Sequence, residues 1–120
     1  MTPIPILGVP DVTAARDYFV DSLGFACTGF FEPAGEAVYA IVARAGGEIH
    51  LQIRRGTSPR RREDHETDAF IVVADVDALR AELEGKVRVL RDIQDEPYGM
   101  RDFTIELPFG PRIAFATPLA

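Results

Sequence analysis

An α+β fold of two tandem βαβββ modules is what this sequence predicts, and three observations carry the prediction. First, a fixed offset of 64 residues, the separation of Asp11 and Asp75, superimposes Val9, Asp11, Val12, Ala14 and Arg16 on Val73, Asp75, Val76, Ala78 and Arg80, all identical. Second, the same offset lays Gly46, Ile49 and Leu51 on Gly110, Ile113 and Phe115, so it holds from the first strand to the last, as an internal repeat requires. Third, Gly46-Gly47-Glu48-Ile49-His50-Leu51-Gln52-Ile53 alternates strictly after its glycine pair, placing Ile49, Leu51 and Ile53 on one strand face and Glu48, His50 and Gln52 on the other.

In chain order, Ile4 to Val9 reads as a strand whose prolines, Pro3 and Pro5, put its start at an edge. Asp11 stands at an N-cap position before a helix from Val12 to Ser22, in which Val12, Ala15, Phe19 and Leu23 recur at helical spacing and Gly24 supplies the stop. Phe25–Phe31 and Glu36–Arg44 are the second and third strands, joined by the Glu32-Pro33-Ala34-Gly35 turn, and Ala45-Gly46 turns into the fourth. After the linker the order repeats: strand Ala69–Val73, a helix capped by Asp75 from Val76 to Glu84, and strands Val87–Ile93, Gly99–Leu107 and Arg112–Thr117. Residues 54–67 hold no apolar side chain and run basic, then acidic. They read as an exposed, mobile linker and a candidate lid, with His65 solvated within it; the acidic half argues against a nucleic-acid arm. The expected organisation is a single domain over 1–120, with module one at 1–53, linker 54–67 and module two at 68–120.

Composition narrows the function classes. A hydrophobic share of 47% with 27% charged residues is that of a globular chain able to bury a core. No apolar run approaches the roughly 20 residues that span a bilayer, and no basic-then-apolar leader opens the chain, so a cytoplasmic protein with no membrane partner is expected. A net charge of −6 argues against nucleic acid as a partner. Cys27, the lone cysteine, is expected as a small core residue.

One helix per module covers one sheet face and leaves the other for a different use. The helix side should take Leu7, Val9, Ile49, Leu51 and Ile53. The open side receives Ile4, Ile6, Gly8, Glu48, His50 and Gln52, joined by Tyr39 and Ile41 if the Ala45-Gly46 turn pairs as an ordinary hairpin. In the second module the same offset offers Asp68, Phe70 and Val72 with Arg112, Ala114 and Ala116. Such a mixed wall suits an organic ligand.

At this point the chain resembles a known family. The paired βαβββ modules, Asp-Val-x-x-Ala after the first strand, Tyr18-Phe19-x-x-x-Leu23-Gly24-Phe25 and Glu48-Ile49-His50-Leu51 resemble the glyoxalase / bleomycin-resistance / extradiol dioxygenase (vicinal oxygen chelate) superfamily. Asp75-Val76-Asp77-Ala78-Leu79 and Tyr98-Gly99-Met100-Arg101-Asp102-Phe103 are similar to its bleomycin-resistance, antibiotic-binding branch. The resemblance implies mixed sheets curving around a cavity that is completed in a homodimer. It also implies that metal enzymes of the superfamily would place ligands at positions matched here by Ile4, His50, Asp68 and Ala114, two of which cannot ligate. Glu48 shares the strand face with His50 but lies one strand step from the expected spot, and the turn before the last strand, Leu107-Pro108-Phe109-Gly110, departs from the family's Asp-Pro-Asp-Gly. The expected site is therefore a binding wall without cofactor or metal, with His50, Glu48 and Asp68 as the weak metal candidates. Phe30, Tyr39, Phe70 and Tyr98 are expected to stack, and His50, Gln52, Asp68 and Asp102 to hydrogen-bond, beside Ile41. A His50–Asp68 pair could act as base and orienter, but no nucleophile or oxyanion-donor pattern accompanies it. The function this implies is sequestration of a toxic natural product of the bleomycin-like glycopeptide or enediyne type; the alternative is a divalent-metal lyase or dioxygenase.

Overall fold

A computed structural model describes residues 1–56, 63 and 66–120, and the chain divides into two compact units, Met1–Arg60 and Arg61–Ala120. The lid expected of the linker and the solvated His65 fall largely on positions 57–62 and 64–65, outside the described residues.

The first unit runs β1 (Ile6–Val9), α1 (Val12–Asp21), β2 (Ala26–Phe31), β3 (Tyr39–Arg44) and β4 (Gly47–Ile53), with strands in the spatial order β1-β4-β3-β2. The second runs β5 (Ala69–Val72), α2 (Val76–Glu82), β6 (Arg88–Asp95), β7 (Met100–Glu106) and β8 (Arg112–Pro118), in the order β5-β8-β7-β6. Each is a βαβββ module, as predicted. The repeat extends to register: β1 pairs parallel with β4 through Ile6–His50 and Leu7–Leu51, and β5 pairs parallel with β8 through Phe70–Ala114 and Ile71–Phe115, each residue moved by the same offset.

Both helices begin where the sequence places them. The Asp11 carboxylate accepts the Ala14 N–H at 3.0 Å and the Asp75 carboxylate accepts the Ala78 N–H at 3.0 Å, each satisfying a backbone donor that the helix leaves open. Asp11→Ala and Asp75→Ala should each cost about 1 kcal/mol in urea unfolding, and the Asn variants a fraction of that. Gly24 and Gly85, at φ 72° and 77°, take the left-handed conformation that follows a helix end.

Elsewhere the boundaries move for identifiable reasons. β1 opens at Ile6 rather than Ile4 because Pro5 has no N–H for the ladder, although its carbonyl accepts from the His50 N–H at 3.0 Å. β6 runs on to Asp95 because Gln94 and Asp95 pair with Asp102 and Arg101 up to the turn at Glu96–Gly99. The β3–β4 hairpin closes through Ala45 and Gly46 at φ 52° and 83°, the conformation of a tight two-residue turn that favours Asn-Gly. Ala45 has a Cβ in the left-handed region, so Ala45→Asn or Ala45→Gly should stabilise the chain by about 1 kcal/mol, read as a raised urea midpoint.

The core of the first unit lies between α1 and its sheet: Val12, Ala15, Phe19 and Leu23 meet Leu7, Val9, Ala40, Val42, Ile49 and Leu51, all buried. Ile53, placed on this side by alternation, is only half-buried. In the second unit Val76 and Leu83 bury with Phe103, Ile105, Leu107, Ile113 and Phe115; the Phe103 and Phe115 rings lie 5.5 Å apart. Cys27 departs from expectation: it is exposed, and its thiol donates to the Gly29 carbonyl at 3.3 Å. It pairs with Val42 on the helix side, but β2 is the edge strand, and α1 packs chiefly on β3 and β4.

Candidate functional site

Strand alternation puts Glu48, His50 and Gln52 on the face of the first sheet opposite the buried Ile49 and Leu51. Register supplies their neighbours. Ile41 lies beside His50 and Tyr39 beside Gln52 on β3, while Ile6 lies beside His50 on β1. Phe31 pairs with Tyr39 on the next strand. Gly29, opposite Ile41, has no side chain on this face; an added Cβ would meet Ile41 Cδ1 at 3.1 Å and Phe31 Cε2 at 3.2 Å. The glycine thus lets the Phe31 ring and Ile41 approach each other.

Three of these side chains form a chain of hydrogen bonds. Tyr39 Oη lies 2.6 Å from His50 Nδ1, and His50 Nε2 lies 3.0 Å from Glu48 Oε1. A carboxylate only accepts, so the neutral imidazole carries its hydrogen on Nε2 and donates it to Glu48. Nδ1 is then an acceptor, and the Tyr39 hydroxyl donates to it. The Tyr39 ring packs edge-on against His50 at 5.3 Å and against Phe31 at 6.3 Å. His50 keeps 19% of its side chain exposed and Glu48 keeps 44%, so the array borders solvent. The orienter of His50 is therefore its own-strand neighbour Glu48. Asp68 belongs to the other unit and has its own partner there: its carboxylate accepts the Arg112 N–H at 2.8 Å, while its N–H donates to the Arg112 carbonyl at 2.8 Å.

On the corresponding face of the second sheet, Phe70 lies beside Ala114, which in turn faces Thr104, and Val72 lies beside Ala116, which faces Asp102. Phe70 and Val72 are exposed; Ala114, Ala116, Thr104 and Asp102 are buried. The Tyr98 hydroxyl donates to Asp102 Oδ2 at 2.7 Å, and that bond to a carboxylate holds the phenol above its ordinary range, with burial adding to the effect. Because the folded-state value lies above the unfolded one, the associated stability is present below about pH 10 and is lost as pH rises through the folded value. Burial also raises the Tyr18 phenol, so ultraviolet titration should show two late-ionising tyrosines, of which one disappears in Tyr98→Phe and moves back toward the ordinary value in Asp102→Asn.

The structure corrects one stacking residue. Phe30 pairs with Ala40, a core position on the helix side, and the Arg16 guanidinium of α1 sits 4.3 Å from its ring centre. A bulge between Cys27 and Gly29 puts Cys27 and Phe30, three residues apart, on the same side of β2, so alternation counted through the strand fails. Phe31, which sequence reasoning passed over, occupies the open face. Counting back from Tyr39 across the turn would have found it, since the Phe31–Tyr39 pair lies beyond the bulge.

The positions at which the resemblance implies a metal do not fit one. Ile4 and Ala114 offer no donor atom, and both ring nitrogens of His50 are taken by Tyr39 and Glu48. Among the described residues no helix is long and apolar enough to cross a membrane.

Comparison with known proteins agrees with this architecture. A family model described as "Glyoxalase superfamily protein" matches residues 2–119. TioX from Micromonospora sp. ML1 shares 20% identity at a TM-score of 0.77, over 99% of this chain and 99% of its own. The bleomycin-binding protein from bleomycin-producing Streptomyces verticillus, solved with copper(II)-bleomycin, shares 24% identity at a TM-score of 0.71, over 100% of this chain and 96% of its own. A glyoxalase-related enzyme from Clostridium phytofermentans shares 18% identity at a TM-score of 0.78, over 99% and 95%. No curated protein matches the chain in sequence.

Proposed function

We propose, from the premise that this chain belongs to the glyoxalase superfamily, that it is a non-catalytic binding protein that sequesters a small natural product. The observation that carries this reading is the Glu48–His50–Tyr39 array. At the position where the superfamily's metal enzymes would use a histidine ligand, this chain spends both imidazole nitrogens on its own side chains. On the same sheet face as the array stand exposed apolar groups, Ile6 and Phe31, and the corresponding face of the second sheet separately exposes Phe70 and Val72. Open faces of this kind are lined for an organic ligand rather than for water. The fold likeness to a bleomycin-binding protein supports a bleomycin-like compound as the first ligand to try, and resistance to such a compound as the biological role. A homodimer fits the same reading, because a second copy would cover part of the exposed apolar surface.

Isothermal titration calorimetry with metal-free and copper(II)-bleomycin tests the reading, beside light scattering for the dimer. Saturable binding at micromolar or lower Kd is expected, with Phe31→Ala and Phe70→Ala each weakening it about tenfold through lost aromatic contact. Stoichiometric divalent metal, retained through purification without chelator and lost in His50→Ala, would overturn the reading in favour of a metal enzyme.

A further inference from the structure

The two sheets share a polarity that neither composition nor fold explains. In the first unit, with the neutral imidazole's hydrogen on Nε2 toward Glu48, the Tyr39 hydroxyl gives its only hydrogen to His50 Nδ1. In the second, the Tyr98 hydroxyl gives its only hydrogen to Asp102. A phenol has one donor and an oxygen with lone pairs, so each tyrosine oxygen retains acceptor capacity alone. Donation into a strong acceptor also polarises the oxygen and makes it a better acceptor in turn. Each lies in a short hydrogen-bonded array that ends on a carboxylate: Glu48, reached through His50, and Asp102, bonded directly. Both tyrosines retain accessible surface, with Tyr39 half-buried and Tyr98 exposed. Among the described residues no lysine or arginine is bonded to Glu48 or Asp102; the Glu96 carboxylate that also acts on Tyr98 has Arg91 at 3.8 Å.

We infer that Tyr39 and Tyr98 are preformed acceptors for N–H donors, and that the ligand meets each sheet through a cationic, planar donor group such as an amidinium or guanidinium. The inference rests on the small-molecule binding reading above and adds the chemical class of the ligand's contact groups. An amidinium directs its N–H bonds in its own plane and can share them between an acceptor oxygen and a nearby carboxylate. In the first unit the Tyr39 and Phe31 rings provide aromatic surface beside the acceptor. An anionic group would meet Glu48 or Asp102 with no donor hydrogen from either tyrosine.

Three probes of one shape and different charge test this: benzamidine, benzamide and benzoate. Each is titrated into the ¹⁵N-labelled full chain while amide resonances are followed. Benzamidine should shift the amides of β3 and β4 and, separately, those of β7. Benzamide should bind more weakly, and benzoate should leave both regions unmoved. Tyr39→Phe, which keeps the ring, should weaken benzamidine at β3 and β4 at least tenfold and leave the β7 response intact; Tyr98→Phe should do the reverse. Glu48→Gln still accepts from His50 but removes the charge, so it should weaken benzamidine severalfold without changing benzamide. Equal binding of benzoate and benzamidine, no response to benzamidine, or Tyr39→Phe and Tyr98→Phe variants that bind as the parent does would each overturn the inference. Bleomycin calorimetry on the same preparation separates the two ideas. If bleomycin binds while the amidine preference is absent, only this inference falls. If the preference is present while bleomycin does not bind, the acceptor assignment stands and the bleomycin-like ligand falls.

Discussion

Phe19→Ala is expected to lower stability by about 3–5 kcal/mol, the usual cost of emptying a buried aromatic site. Phe19 is fully buried on α1, and its ring meets Phe25 edge-on at 5.2 Å just past the helix stop. The residue therefore joins the helix to the entry of β2 as well as to the sheet beneath. With a urea m-value of about 2 kcal/mol per molar, the unfolding midpoint should fall by about 2 M. Phe19→Leu, which refills most of the volume, should recover more than half of the loss. A midpoint within 0.3 M of the parent for Phe19→Ala (roughly 0.6 kcal/mol at that m-value) would mean that α1 does not close the core of the first unit.

Arg112→Ala is the second large effect, about 2–3 kcal/mol, and its origin differs. Arg112 is buried at the start of β8, where its Nε donates to Glu106 at 3.0 Å and a terminal nitrogen donates to the Glu63 carbonyl at 2.6 Å. Among the described residues, removing the guanidinium leaves Glu106 with Arg88, a partner that is itself largely exposed. Breaking one side of a buried pair costs more than the pair is worth, because the remaining charge loses its compensation. A double-variant cycle separates the two quantities: Arg112→Met with Glu106→Leu should lie within about 1 kcal/mol of the parent, whereas either substitution alone should cost more. Additive single effects would show that the ion pair contributes nothing beyond packing.

Some of the site could be read in the residues and some could not, and the division follows the range of the forces involved. The face carrying Glu48, His50 and Gln52 was legible because alternation in β4 is unbroken, and Tyr39 and Ile41 joined it because a two-residue turn leaves only one register. Phe30 was misplaced because a bulge adds a residue without leaving a mark in the hydrophobic pattern. Cys27 was taken for core because small apolar residues usually are, but α1 packs chiefly on β3 and β4 and leaves Cys27 exposed on the edge strand. A His50–Asp68 pair across the modules was one reading of the residues; the hydrogen-bond partner that the first unit itself supplies is Glu48, two residues away on the same strand face.

Sequence by itself determined the two modules, their offset, both helix caps, and which side chains could not serve a metal. Those features depend on local conformation and on residue chemistry, which a linear pattern records. Only the tertiary structure decided which hydrogen each polar group spends on whom. That choice depends on distances of a few tenths of an ångström between strands, and it set His50 in the middle of an array, with Nδ1 2.6 Å from the Tyr39 hydroxyl and Nε2 3.0 Å from Glu48.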